Sequence, residues 1–162
     1  MEEDARSDDP AVAAGACGSD HRVSHERGAS TSRLWHVSTD LKPPRARVLI
    51  ADDEAHVREV LRHFLTREGY LVSTVEDGRG ALDAVTTFQP EVILVDMVMP
   101  GLSAVDVLAT LRRAGVTVPV VLISGQVIVR EGFFGVLSKP FEFRRVAELV
   151  AAAVDHGRTS GA

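Results

Sequence analysis

The stretch Val92-Ile93-Leu94-Val95-Asp96-Met97-Val98-Met99-Pro100-Gly101 decides the fold. Consecutive apolar residues, most of them β-branched, lead into a carboxylate and then into a Pro-Gly turn signal. A strand with one wet face alternates apolar and polar residues. A short continuous apolar run marks a strand buried on both faces, as in a parallel sheet. Two more runs read the same way, Val48-Leu49-Ile50-Ala51 before it and Val120-Val121-Leu122-Ile123 after it. Residues 70–75 and 134–138 are less continuous candidates.

Helical patterns lie between these strands. Val57, Val60, Leu61, Phe64 and Leu65 follow the i, i+3, i+4, i+7, i+8 spacing of one helix face, and Gly69 stands where a C-cap belongs. Ala81, Leu82 and Val85 predict a second helix. Val105, Leu108 and Leu111 predict a third, with Arg112 and Arg113 at its negative end and Gly115 beyond it. Val146, Leu149, Val150 and Val154 predict a last helix that closes near Gly157. Strands alternating with helices imply right-handed βαβ units, with helices on both faces of one sheet. The predicted fold is a three-layer α/β sandwich with five parallel strands.

Composition sets the outer bounds. The chain has 162 residues, 45% hydrophobic and 25% charged, the mix of one ordinary globular domain. A net charge of -5 argues against a sequence-independent nucleic-acid binder. The single cysteine, Cys17, excludes an internal disulfide and fits a reducing compartment. The acidic start, Met1-Glu2-Glu3-Asp4, has no apolar stretch after it, and no run approaches the length of a membrane span, so a cytoplasmic location is expected. Residues 1–44 carry no sustained period and read as a disordered tail that ends at Pro43-Pro44. The folded domain is expected over residues 45–157, with a short tail at 158–162. Cys17, His21 and His25 repeat at a spacing of four, but the tail has no helix signal and no fourth ligand, so chance accounts for them better than a metal does.

Open α/β sheets bind ligands beyond the carboxyl ends of their strands, at the topological switch point. The predicted strands deliver Asp52-Asp53, Asp96, Ser124 and Ser138-Lys139-Pro140 to that edge. Singly, each has an ordinary explanation. Asp53 suits a helix N-cap, Asp96 the start of a turn, Ser124-Gly125 another turn, and Lys139 a solvated charge. Jointly, those explanations leave three carboxylates crowded together. Unit charges ~4 Å apart repel by about 4 kcal/mol at a surface-like dielectric, so a cation belongs among them. An all-oxygen site with room for water suits Mg²⁺. The chain also has 16 Arg and only two Lys, Lys42 and Lys139, which singles out the ammonium at position 139.

The segments Val48–Glu54, Leu94–Gly101, Ile123-Ser124-Gly125 and Ser138-Lys139-Pro140-Phe141 together resemble the receiver domain of two-component response regulators. The resemblance spans about residues 45–157. It implies a flavodoxin-like fold with strand order 2-1-3-4-5 and an aspartyl phosphate. Asp96 resembles the phosphoacceptor, and Asp52 and Asp53 the acidic pair that holds Mg²⁺ together with Asp96 and the Val98 backbone carbonyl. Ser124 resembles the hydroxyl that bonds the phosphoryl group. Lys139 resembles the lysine that pairs with its oxygens, and Pro140 the residue that sets the next turn. Phosphoryl transfer needs in-line positioning, a bridging metal and a cation for the equatorial charge, and this residue set supplies those parts.

Two features depart from the pattern. Ser124 and Lys139 are closer in sequence than in family members, by roughly two helical turns at 3.6 residues per turn. The family's fourth helix is therefore expected to be shortened or absent, leaving Phe133, Phe134 and Val136 beside a thinly covered end of the sheet. Val136 also stands where the family commonly carries an aromatic. No helix-turn-helix or catalytic motif is found outside the domain. The expectation is a stand-alone phosphoacceptor rather than a turnover enzyme, served by a sensor histidine kinase or a histidine phosphotransfer protein and acting on a downstream protein. Neither nucleic acid nor membrane is expected as a partner. An adaptor that works without phosphorylation is the alternative. A phosphatase on a similar fold lacks its general acid, since Val98 stands at that place.

Overall fold

The computed structural model describes residues 43–126 and 131–160. The expectations for the tail, including Cys17, His21 and His25, lie outside those residues. Five strands, β1 (Arg47–Ala51), β2 (Leu71–Val75), β3 (Val92–Asp96), β4 (Val120–Ser124) and β5 (Gly135–Ser138), form one parallel sheet in the order β2-β1-β3-β4-β5. The helices are α1 (Ala55–Arg67), α2 (Gly78–Phe88), α3 (Ala104–Arg113) and α4 (Phe143–Ser160). The strand order and the flavodoxin-like layering agree with the expectation.

Position in the sheet explains why some strands were easier to read than others. Every residue of β3 and β4, and all of β1 beyond Arg47, is buried. These are the central strands, and they carry the continuous apolar runs. β2 and β5 are edges, mostly half-exposed, and their sequences are correspondingly mixed. Two cores flank the sheet. On one face Val48, Ile50, Leu94, Val121, Ile123 and Leu137 pack against Leu61 and Leu65 of α1 and Val146, Val150 and Ala153 of α4. On the other, Leu49, Ile93, Val95 and Leu122 pack against Ala81 of α2 and Val107, Leu108 and Leu111 of α3. The alternation of strand residues between these cores is the period of two that a sheet imposes.

β4 ends at Ser124 and β5 begins at Gly135, and among the described residues no helix lies between them. Phe133 and Val136 pack on the α2–α3 core. Phe134 does not join them. Phe134 precedes the first residue of β5 and packs on the α1–α4 core, its ring 5.2 Å from that of His156. The last helix also outruns its expected close near Gly157 and continues through Ser160. Arg158 holds this extra length, donating to the Arg45 carbonyl at 2.6 Å and to Glu91 Oε1 at 3.0 Å. Glu91 Oε2 in turn accepts from the Arg47 amide that opens β1.

One glycine is required by packing near the site. A Cβ built on Gly78, at the start of α2, would lie 2.6 Å from the Leu102 carbonyl oxygen and 2.7 Å from Leu102 Cβ. The contact is with backbone, which cannot swing aside. Gly78 thus lets α2 approach the loop that follows β3 and its terminal carboxylate.

Candidate functional site

The switch point lies between β1 and β3, where the chain leaves β1 toward β2 and later returns to the other side of β1. Ala51 pairs in register with Val95, which puts Asp52 beside Asp96 at the carboxyl edge. Asp96 pairs with Ile123, and Ser124 with Ser138, which brings Ser124 and Lys139 to the same edge. Asp52 is fully buried, Asp96 is 7% exposed and Ser124 3%. These are the buried polar or charged residues of the described chain, and they gather at one place.

Lys139 sits in the middle of them. Its Nζ lies 2.8 Å from Asp96 Oδ1, 2.9 Å from Glu54 Oε1 and 3.0 Å from Asp52 Oδ2. The crowded carboxylates therefore have a cation of the protein's own. Burial pulls the lysine's pKa down, but the carboxylates of Asp96, Glu54 and Asp52 beside it outweigh that and hold the ammonium above its ordinary value. For Asp52 burial prevails, and the carboxyl is raised despite the Glu54 amide and Lys139. Lys139 holds the exposed Glu54 below its ordinary range.

The remaining contacts fix the edge locally. Asp52 Oδ1 accepts from the Glu54 amide at 2.8 Å, and Asp96 Oδ2 accepts from the Val98 amide at 2.8 Å. Ser124 Oγ accepts from the Gln126 amide at 3.1 Å, and the Lys139 amide donates to the Ser124 carbonyl at 2.7 Å. The Lys139–Pro140 peptide bond is cis. An open cavity of about 410 Å³ lies over these groups, lined by Glu54, Asp96, Val98, Ser124, Gln126 and Lys139.

Asp52, Asp96, Ser124 and Lys139 are thus brought together as expected. Asp53 is at the edge but exposed, outside the ring around Lys139. It is not the N-cap of α1 either, since Glu54 holds that position. Val98 turns its side chain outward at 73% exposure and its amide toward Asp96. Glu54 was missed as a site residue. The signal available was a third acidic residue directly after Asp52-Asp53.

The donor set bears on a metal. Asp52 Oδ2 is buried and has no hydrogen-bond partner, although Lys139 stands 3.0 Å away. An unsatisfied buried carboxylate oxygen beside a second carboxylate is a hard ligand in want of a cation. Among the described residues no three acidic, histidine or cysteine side chains close into a cage. Mg²⁺ is characteristically held without one, by one or two carboxylates with waters and phosphate oxygens. The residues present fit that ion.

Comparison with known proteins places the chain. The family model for the response regulator receiver domain matches residues 48–151. The chain belongs to that family: it is a receiver domain of the kind found in two-component systems. It is 35% identical over 102 residues to the response regulator MprA of Mycolicibacterium vanbaalenii, covering 59% of this chain and 44% of that protein. It is 32% identical over 114 residues to the DNA-binding transcriptional regulator NtrC of Klebsiella pneumoniae, covering 66% of this chain and 24% of that one. The chain thus spans less than half the length of these relatives. Among solved structures, the chemotaxis response regulator CheY4 of Vibrio cholerae superposes with a TM-score of 0.62 at 26% identity, over 67% of this chain and 98% of that one. No described helix is long and apolar enough to cross a membrane.

Proposed function

We propose that this receiver domain accepts a phosphoryl group on Asp96 and passes the signal to a partner protein. The observation that carries the reading is the convergence of Asp52, Asp96, Ser124 and Lys139 from four strand ends, the last three of them lining one open cavity. In the step, an Asp96 carboxylate oxygen forms a new bond to phosphorus as the donor's bond to phosphorus breaks. The leaving group departs with the electron pair. Asp96 is the weak nucleophile that the site must align, and its hydrogen bond from the Val98 amide fixes the carboxylate plane. Lys139 offers its ammonium to the phosphoryl oxygens, and Ser124 offers its hydroxyl from the adjacent strand.

Asp52, Asp53, Asp96 and the Val98 carbonyl are the groups that would hold Mg²⁺, which supplies charge neutralisation across the transferring oxygens. The donor is a phosphohistidine, on a sensor histidine kinase or a histidine phosphotransfer protein, and the setting is cytoplasmic. The net charge of -5 favours a protein over a nucleic acid as the partner of this chain. The domain is used once per signal rather than as a turnover enzyme.

The test is incubation of the protein with Mg²⁺ and a small phosphodonor, read by intact mass. The wild type should gain one phosphoryl group, and the gain should vanish in EDTA and in Asp96→Asn. Equal labelling of Asp96→Asn would refute the reading.

A further inference from the structure

Glu54 neither aligns Asp96 nor belongs to the groups that would hold Mg²⁺, yet it makes one of the three short contacts to Lys139. It is the N-cap residue of α1, where a side chain ordinarily bonds the first free amides of the helix, but it makes no such cap bond. Instead Glu54 Oε1 accepts a hydrogen bond from Lys139 Nζ, at 2.9 Å, across 85 residues of sequence. An ammonium has three N–H donors, and Lys139 has three carboxylates within 3.0 Å. Three negative groups already crowd the ammonium, and Glu54 takes a hydrogen bond from it, so a phosphoryl oxygen that binds Lys139 competes with them for it.

The three carboxylates are not equally easy to displace. The Asp52 side chain is 0% exposed and that of Asp96 is 10%, so neither can leave for water. The Glu54 side chain is 61% exposed and lines the mouth of the cavity. Its release exchanges a surface ion pair for hydration, a near-balanced trade.

Resting on the reading of Asp96 as phosphoacceptor, we infer that Glu54 is a releasable counter-ion. It occupies Lys139 at the pocket mouth until a phosphoryl group on Asp96 displaces it, and so sets how readily the site fills. Glu54 is a positioning residue, acting through Lys139. Its charge also opposes the approach of anionic donors, so its effect weakens as salt is added.

The chain's two lysines make the test direct. With lysine-selective ¹⁵N labelling, Lys42→Arg leaves the Lys139 ammonium as the single signal. Mg²⁺ with beryllofluoride serves as the phosphoryl mimic. Glu54→Gln and Glu54→Ala should each raise mimic affinity about two- to fivefold, the range that loss of an exposed ion pair spans. The Lys139 signal should differ between wild type and variants before the mimic is added and coincide afterwards. Unchanged or weaker affinity in both variants overturns the inference, and so do mimic-bound Lys139 signals that still differ. A wild type that binds no mimic, or an Asp96→Asn variant that binds it equally well, instead defeats the phosphoacceptor reading, and the role of Glu54 falls with it.

Discussion

Lys139 joins the folding of the domain to its candidate site. Its ammonium is the counter-charge for a fully buried Asp52 and a nearly buried Asp96. Removing one partner of a buried ion pair costs about 3–5 kcal/mol, because it leaves the other charge uncompensated. The Lys139 side chain is 21% exposed, which lets some water into the gap. Lys139→Met should therefore lower stability without Mg²⁺ by about 2 kcal/mol, measured by urea denaturation at neutral pH. A loss below about 0.5 kcal/mol would mean that the carboxylates do not depend on the lysine. The usage bias that singled out this position, two Lys against 16 Arg, has a geometric counterpart. Three carboxylate oxygens converge on a single nitrogen, an arrangement that suits a compact ammonium better than a planar guanidinium fork.

At the scale of elements, α3 follows the loop that leaves β3, the strand that ends in Asp96, and its start is pinned by a capping box. The Asp106 amide donates to Ser103 Oγ, while the Ser103 amide and hydroxyl donate to Asp106 Oδ2 at 3.0 and 2.6 Å. Ser103→Ala should cost about 1 kcal/mol in chemical denaturation at neutral pH. Those Ser103 bonds hold the Asp106 carboxyl below its ordinary value. A depressed carboxyl contributes stability that is fully present above its unfolded pKa and lost as pH falls through its folded one. The gap between wild type and Ser103→Ala should therefore narrow as pH drops below about 4. A constant gap from neutral to acid pH would contradict the coupling. Central strands and helix faces were legible from sequence because burial on both faces leaves an unbroken apolar run and burial on one leaves a 3.6-residue period. Where two surroundings compete, the reading was weaker. Phe134 lies one residue before β5, so no strand alternation assigns its face. The end of α4 was read from Gly157, but that glycine stays helical because Arg158 draws the next turn onto Glu91 and Arg45.

At the scale of the whole molecule, the two edges of the sheet have different tasks. The amino edge is a tie. Arg158 links the last helix to the Arg45 carbonyl and to Glu91, and Glu91 accepts from β1. Arg158→Ala should reduce stability by about 1 kcal/mol without changing phosphorylation, as read by denaturation and by intact mass on the same sample. A matching loss of phosphorylation would show that the edges are not independent. The carboxyl edge is the candidate site, and most of it could be read from strand ends alone, since topology brings those ends together. The role of Glu54 could not, because it depends on a contact between residues 85 positions apart that no local pattern encodes. The central claim is a covalent bond at one of these strand ends, and peptide mapping after phosphorylation tests it most directly. Reduction of the acyl phosphate with borohydride, then digestion and tandem mass spectrometry, locates the modified residue. The account predicts modification at Asp96 alone, within the peptide that holds Val92 to Val95. Modification at Asp52, Asp53 or Glu54 with Asp96 untouched would contradict it.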